Sequence, residues 1–324
     1  MPVSRRQVLG RTLLGSIAAA PLVGAFPAWA VAPPQAAGQA PSFFRYRVGD
    51  MQVTAIHDGM AYRGLDGLIP NADPAAVKQA LADNFLPTDK LAVTFTTLVI
   101  NTGSKLVLID TGNGDLGAPT AGKWMANFRA AGFTPEQVDT VIFSHFHGDH
   151  INGFRLKDGT AVFPTAEIMV PEAEWAYWTS DNERTRTPGL AGGFDNVKRV
   201  FGPVQKDVTT YAWDKEIVPG ITSVKADGHT PGHTAFAIVS GTAKLLMLSD
   251  LTNNPAIFAR HPDWSAVFDQ DAATARATRR RMLDLAAVEK MQVSFYHATF
   301  PATGNIVREG DGYRMVPMLW NSAA

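Results

Sequence analysis

Three histidines and one aspartate lie within six consecutive residues of the chain. The segment is His145-Phe146-His147-Gly148-Asp149-His150, and the whole sequence contains only eight histidines. Imidazole and carboxylate groups are ligands for divalent metals, and in an extended segment His145 and His147 point to the same side. Asp149 and His150 follow a glycine turn that can direct them to a second position. One loop can therefore supply ligands to two metal ions.

The apolar run before this segment, Thr140-Val141-Ile142-Phe143, has the composition of a buried strand. The histidine segment then begins where the strand ends, and α/β proteins place their functional sites in loops at strand ends. The alternative interpretation is a polar surface loop that is rich in histidine by chance. Clustered His and Asp side chains at ligand spacing favour the metal site.

The composition excludes several other kinds of chemistry. The 324 residues include no cysteine, so disulfides, thiolate ligands and a catalytic thiol are absent, and a metal must rely on nitrogen and oxygen donors. A hydrophobic content of 46% is sufficient for a large core. The formal net charge of −1 gives no electrostatic reason to expect nucleic acid or an anionic membrane as a partner.

The first 30 residues have the pattern of an export signal. Ser4-Arg5-Arg6-Gln7-Val8-Leu9 contains a twin arginine, residues 12–26 are modestly apolar, and Ala28-Trp29-Ala30 offers small residues for cleavage. A membrane anchor is the alternative, but Gly and Pro interrupt an apolar run that is short for a bilayer. We therefore expect residues 1–30 to be a twin-arginine signal peptide, and the mature protein to be periplasmic with no membrane anchor.

The mature chain has the pattern of a single domain built from two similar halves. Residues 31–41 are rich in Ala, Pro, Gln and Gly, which predicts a flexible lead-in before a domain over residues 42–324. Residues 97–110 predict a hairpin that ends in an aspartate, and residues 235–250 repeat this arrangement. Two halves that each contribute ligands predict one α/β domain with the site in the cleft between them.

Other segments predict a first hairpin, a short helix, two aromatic-rich insertions, an irregular stretch, a long helix and a closing hairpin. They lie, in this order, at residues 43–57, from Asp73 on, at 171–180 and 188–201, at 252–269, at 271–290 and at 305–316.

A glycine-rich segment offers a competing interpretation. Gly112-Asn113-Gly114-Asp115-Leu116-Gly117 fits the G-x-G-x-x-G pattern of dinucleotide-binding proteins, between a predicted strand and a predicted helix. However, the next predicted strand ends in Ser144-His145, where a dinucleotide-binding fold would carry the carboxylate for the ribose. We therefore interpret the glycines as a tight turn beside the metal site.

The run Arg279-Arg280-Arg281 is a second competing feature, because clustered basic residues can bind nucleic acid. The run lies on a predicted helix, and Asp284 and Glu289 are close by in the sequence. We interpret it as a solvated helix face and expect no nucleic acid partner.

The pattern H-x-H-x-D-H resembles the signature of the metallo-β-lactamase superfamily. Gly228-His229-Thr230-Pro231-Gly232-His233 is similar to the second motif of that family, with His233 as the matching ligand and His229 left to support the loop. Asp250 resembles the bridging aspartate, and His297 resembles the last ligand. The resemblance implies a four-layer αβ/βα sandwich and seven metal ligands, which are His145, His147, Asp149, His150, His233, Asp250 and His297.

The family resemblance also implies a reaction. One divalent ion would be held by His145, His147 and His233, the other by Asp149, His150 and His297, with Asp250 between them and zinc as the expected metal. A hydroxide shared by the two ions would be the nucleophile, and a site charge near +1 favours hydrolysis. Asp149 and Asp250 are the expected catalytic carboxylates, and Asp110 is expected to orient a ligand imidazole.

Within the superfamily, the chain resembles the methyl parathion hydrolase group of exported organophosphate hydrolases and lactonases. The similar segments are residues 101–112, 135–139, 228–234 and 312–317. This resemblance implies a small neutral ester as substrate, with lactones, aryl esters and phosphotriesters as candidates.

The surroundings of the site are less well defined by the sequence. Trp178 and Phe194 are the aromatic residues that we expect to line a substrate pocket. A homodimer remains open as the assembly. The alternative function is a metal- or ligand-binding protein that keeps the fold without turnover.

Overall fold

Two seven-stranded sheets form the centre of the structure. The computed structural model describes residues 32–322, so the predicted signal peptide lies outside the described residues. The strands and helices all belong to the unit that begins at Ala40. No helix among residues 32–322 combines the length and the apolarity needed to cross a membrane.

In both sheets the spatial order of the strands follows the order of the chain. The first sheet contains β1 (Phe43–Val48), β2 (Met51–Gly64), β3 (Lys90–Asn101), β4 (Leu106–Ile109), β5 (Thr140–Ile142), β6 (Glu167–Pro171) and β7 (Val208–Tyr211). The second sheet contains β8 (Glu216–Val218), β9 (Ile221–Lys225), β10 (Thr234–Ser240), β11 (Ala243–Met247), β12 (Gln292–Ser294), β13 (Thr303–Glu309) and β14 (Gly312–Pro317).

Eight α-helices lie among the described residues. They are α1 (Pro74–Asp83), α2 (Trp124–Ala130), α3 (Gly148–Ile151), α4 (Glu172–Trp178), α5 (Asp181–Arg186), α6 (Ala191–Phe201), α7 (Pro255–Phe258) and α8 (Ala272–Val288). The predicted helices after Asp73 and at residues 271–290 are confirmed as α1 and α8. The stretch 252–269 was expected to be irregular, but it contains α7, whose N-cap is Asn254.

The two sheets and the helices pack as a four-layer α/β sandwich, as the family resemblance implies. Along β3, Leu98 and Ile100 enter the apolar layer between the sheets, whereas Val99 enters the layer under the helices of the first sheet. This alternation follows from the two-residue period of a strand. On the far side, Met282 and Leu283 of α8 cover the second sheet. Each sheet is therefore buried on both faces.

The two halves of the chain repeat one topology. In the first sheet β3 and β4 are antiparallel and β5 is parallel to β4. In the second sheet β10 and β11 are antiparallel and β12 is parallel to β11. Asp110 follows β4 and Asp250 follows β11 within three residues, and His145 and His297 follow β5 and β12 in the same way. The strand ends of both halves thus carry the predicted site residues.

Candidate metal centre

The first histidine loop adopts two conformations in succession. His145 lies in the connection after β5, and His147 has extended backbone angles and caps the four-residue helix α3. Asp149 and His150 belong to α3. The change from extended to helical backbone at Gly148 turns the last two side chains away from the first two, which explains how one loop serves two ligand sets.

Two groups of ligand atoms form where the strand ends of the two sheets meet. One group contains His145, His147, His229 and Asp250, and the other contains Asp149, His150 and His297. Within each group the ligand atoms lie within 4.8 Å of one another, so each group can hold one metal ion. Hereafter these are the first and the second ligand group.

The carboxylate of Asp250 lies between the two groups. Its Oδ2 atom is 3.3 Å from His229 Nε2 of the first group and 2.9 Å from His297 Nε2 of the second. Its Oδ1 atom is 3.1 Å from His150 Nε2, also of the second group. One carboxylate therefore faces both metal positions, which is the geometry that a bridging ligand requires.

The first group includes His229. His233, the ligand that the family resemblance implies, contacts the backbone N–H of Asp250, and its assignment as a ligand stays a prediction. The Nδ1–H of His233 donates to the carbonyl of Ala226 at 2.7 Å, and its Nε2 accepts the backbone N–H of Asp250 at 3.1 Å. Like His297, His233 thus donates through Nδ1, and Nε2 is its remaining ring nitrogen. His229 Nε2 instead lies 2.9 Å from His147 Nδ1.

The rings of three ligand histidines are oriented by acceptors on their far side. His150 Nδ1 lies 2.9 Å from the Asp110 carboxylate, as the sequence predicts for that aspartate. His297 Nδ1 donates to the backbone carbonyl of Thr94 at 2.7 Å. Such contacts select the tautomer and make the ligand nitrogen more basic.

His229 has its own supporting carboxylate, which sequence reasoning missed. Its Nδ1 lies 3.0 Å from Asp269 Oδ1, and the other oxygen of Asp269 accepts from the buried guanidinium of Arg279 at 3.1 Å. Asp269 lies 40 residues from His229 in a loop with no sequence signature. The same contacts correct the view of Arg279 as part of a solvated face, since its side chain is 1% exposed.

Serine side chains connect the two halves beneath the ligands. The hydroxyl of Ser249 donates to Ser144 Oγ at 2.8 Å, and Ser144 Oγ donates to Asp110 Oδ2 at 2.7 Å. Ser249 has a φ of +46°, in the left-handed region that favours glycine. The hydrogen bond to Ser144 gives a physical reason for a serine at this strained position.

The charge balance of the site favours a cation. Burial alone would raise the pKa of Asp250, but the facing imidazoles of His150 and His297 outweigh burial and hold this pKa well below its ordinary value. Burial alone would lower the pKa of His150, but Asp250 and Asp110 raise it well above its ordinary value. Positive charge is therefore stabilised at the centre of the site.

His145 and His147 have the opposite character. Burial lowers the pKa of both rings well below the ordinary value. Neutral imidazole is the form that binds metal, because the ligand nitrogen must carry a free lone pair. These two rings are prepared as ligands and not as cations.

The residues present fit divalent metal ions. His297 donates through Nδ1, and its Nε2 faces Asp250 Oδ2 at 2.9 Å, so a nitrogen and an oxygen ligand atom converge on one position. His150 Nε2 and Asp250 Oδ1 are buried without a hydrogen-bond partner. Such orphaned atoms at the centre of a site indicate a missing ligand or ion.

The predicted pocket residues lie beside the first ligand group. Trp178 and Phe194 are both buried, with ring centroids 4.8 Å apart, and the Trp178 ring is 6.5 Å from the ring of His147. Both residues line a cavity of about 410 Å³ between α4, α5 and α6. None of the ligand residues lines this cavity.

The glycine-rich segment has a structural role. The backbone N–H groups of Asn113 and Trp124 donate to the buried carboxylate of Asp58, both at 2.7 Å. A Cβ atom on Gly112 would lie 2.9 Å from an oxygen of Asp58. The glycine lets the loop wrap around this carboxylate, and the helix α2 begins only at Trp124, so the dinucleotide interpretation is not supported.

Comparisons with known proteins find relatives among lactonases. An N-acyl homoserine lactonase from Bacillus sp. is 25% identical over 173 residues, which are 52% of this chain and 59% of that protein. The corresponding lactonase of Bacillus cereus has the same identity and coverage. The chain thus spans about three fifths of the length of the curated relatives that it matches.

Two solved structures share the fold over most of the chain. The structure of AidC, a dizinc quorum-quenching lactonase, has a TM-score of 0.80 and 26% identity and covers 87% of this chain and 99% of its own. The hydrolase AbOPH has a TM-score of 0.83 and 24% identity and covers 88% of this chain and 100% of its own. A family model described as the metallo-beta-lactamase superfamily matches residues 92–289, more than half of the sequence, and the chain belongs to this superfamily.

Proposed function

We propose that this protein is a dinuclear metal-dependent hydrolase that opens lactones and cleaves related neutral esters. The observation that carries the proposal is the single carboxylate of Asp250 between two complete ligand groups. The lactonases among its relatives and the dizinc lactonase AidC among similar structures favour a lactone as the first substrate to test.

Within this proposal we assign the metal-binding roles from the two ligand groups. His145, His147 and His229 would hold one ion, and Asp149, His150 and His297 the other, with Asp250 shared by both. Two divalent ions, with zinc as the first choice, would supply a water molecule that is nucleophilic at neutral pH and would polarise the ester carbonyl.

Asp149 is the residue to which we assign proton transfer. Its Oδ2 atom lies 3.6 Å from His297 Nε2, and the side chain is 24% exposed, so it faces both the ligands and the solvent. A carboxylate in this position can accept a proton from the attacking water and return it to the leaving alkoxide. Asp250, in contrast, is buried and serves to hold the two ligand groups at a fixed distance from each other.

The test of the substrate class is a comparison of kcat/KM for an aryl lactone and for a dimethyl aryl phosphotriester, with chelator-treated enzyme as the blank. We expect the lactone to be hydrolysed faster by at least about tenfold, a difference of about 1.4 kcal/mol in transition-state stabilisation. Equal rates would indicate that the protein shares organophosphate hydrolysis with the methyl parathion hydrolase group that it resembles. The absence of metal-dependent hydrolysis of both compounds would contradict the proposal.

The test of the shared carboxylate is Asp250→Asn, which keeps the shape of the side chain and removes its charge. We expect kcat/KM to fall roughly 100-fold or more, because loss of a supporting contact alone typically costs 10–100-fold. Asp263→Asn, at a carboxylate that is 67% exposed, is the matched control and should keep the parent rate. An unchanged rate in Asp250→Asn would contradict the bridging role of this carboxylate.

A further inference from the structure

Glu174 of helix α4 is a fully buried carboxylate outside the two ligand groups. Its Oε1 atom accepts from the backbone N–H of Phe146 at 3.0 Å and from the indole N–H of Trp178 at 2.6 Å. Its Oε2 atom accepts from the hydroxyl of Thr230 at 2.9 Å and from the backbone N–H of Gly232 at 2.7 Å. Four donors converge on one side chain, which is the arrangement that a buried carboxylate requires.

The donors belong to the two loops that carry the first ligand group. Phe146 separates His145 from His147, and Thr230 directly follows His229. The contact between the loops that Glu174 joins is also where His147 Nδ1 and His229 Nε2 approach to 2.9 Å. Glu174 thus lies behind three of the four residues of the first group and makes no hydrogen bond to the second.

Two glycines show how closely these elements are packed. A Cβ atom on Gly232 would lie 2.2 Å from the backbone nitrogen of Glu174, and a Cβ atom on Gly193 would lie 2.7 Å from the Trp178 ring. Only glycine allows the second loop and helix α6 to approach α4 so closely. The position of Glu174 relative to both loops is therefore set by direct contact, with no space for adjustment.

We propose that Glu174 is a positioning residue that holds His147 and His229 at the separation required by the metal ion of the first group. The same carboxylate orients Trp178 beside that ion, so the metal site and the aromatic wall share one support. This inference deepens the proposed function and rests on it, because it assumes that the first group binds a metal.

The experiment is a zinc titration of the metal-free full-length protein against a chelating indicator, which reports the two binding affinities without reference to activity. Glu174 and its four donors are called the clamp. Glu174→Gln presents an amide N–H to at least one of these donors, so the clamp loses hydrogen bonds while the side chain keeps its volume. We expect the affinity for one ion to fall 10–100-fold, the usual effect of removing a supporting contact, and the other to stay within about twofold.

Three further variants identify the affected ion and guard against misfolding. Glu172→Gln changes an exposed carboxylate of the same helix and should leave both affinities at the parent values. Thr230→Val removes one donor and keeps the branched shape, so it should weaken the same ion by a smaller factor even where Glu174→Gln does not yield folded protein. Asp110→Asn, which removes the charged partner of His150, should weaken the other ion.

The outcomes separate the two proposals. Selective weakening of one ion in Glu174→Gln or Thr230→Val supports the clamp, and equal weakening of both ions, or of neither, overturns it. If the parent protein binds two ions but hydrolyses neither test substrate, the proposed function fails, while the affinities still decide the role of Glu174.

Discussion

At the scale of single residues, Asp250 is surrounded by imidazoles from three segments of the chain. Its carboxylate lies 2.9 to 3.8 Å from the ring nitrogens of His145, His150, His229 and His297. A buried carboxylate is stable only with such partners or with cations, because burial without them costs several kcal/mol. The folded chain therefore holds a buried carboxylate among four imidazoles, and a bound metal ion would supply the cation between them.

The choice between His229 and His233 leads to a prediction at this scale. His229→Ala should reduce the bound zinc from two ions to one, because it removes a nitrogen of the first ligand group. His233→Ala should retain both ions and lose about 1–3 kcal/mol of stability, because it leaves the Asp250 N–H and the Ala226 carbonyl without their buried partner. Metal analysis and denaturant unfolding measure the two effects. The reverse pattern would assign His233 as the ligand.

At the scale of elements, very short pieces of structure carry the ligands, and long ones hold them in place. Helix α3 has four residues and strands β5 and β12 have three each, too few to be stable alone. They are ordered by the sheets around them and by α8, which spans 17 residues and covers the second sheet. The stability of α8 therefore matters to the site although it supplies no ligand.

The N-cap of α8 gives a prediction for this element. The side chain of Asp271 accepts the backbone N–H of Thr274 at 3.0 Å. Asp271→Ala should lower the free energy of unfolding by about 1 kcal/mol, whereas Asp271→Asn, which can also cap, should cost only a few tenths. Denaturant unfolding of both variants measures the difference, and equal losses would contradict a capping role.

The same cap predicts a dependence on pH. The hydrogen bonds from Thr274 lower the pKa of Asp271 below its ordinary value. The charged cap therefore contributes fully above about pH 4, and its contribution is lost as pH falls through the lowered pKa. The stability difference between the parent protein and Asp271→Ala should shrink in that acidic range.

At the scale of the whole molecule, we propose that the protein is exported to the periplasm by the twin-arginine route. The proposal rests on Arg5 and Arg6 and on the apolar run that follows them. Replacing both residues by lysine should trap the unprocessed chain in the cytoplasm, because the export machinery recognises the arginine pair. Cell fractionation with an antibody against the mature domain measures this, with Gln7→Ala as the control. Processed protein in the periplasm from the double-lysine variant would indicate another route.

Local patterns in the sequence were sufficient to predict a large part of the fold and of the site. The caps Asp73 and Asp271, the strand before His145 and the hairpin before Asp250 each depend on neighbouring residues, so they can be recognised without tertiary contacts. The order of these elements, with a ligand motif after each half, also indicated one α/β domain with the site between its halves, and the family resemblance implied the sandwich.

Tertiary structure decided the features that depend on distant partners. His229 and His233 are four residues apart in one loop, and only the packing of that loop brings His233 Nδ1 to the Ala226 carbonyl and His229 Nε2 to Asp250. Glu174 is separated from its partners by 28 to 58 residues, and no local pattern distinguishes it from an exposed helix carboxylate. The sequence alone therefore determined which kinds of side chain reach the site. Three-dimensional packing determined which of them converge in the two ligand groups, because that depends on contacts between segments that are far apart in the chain.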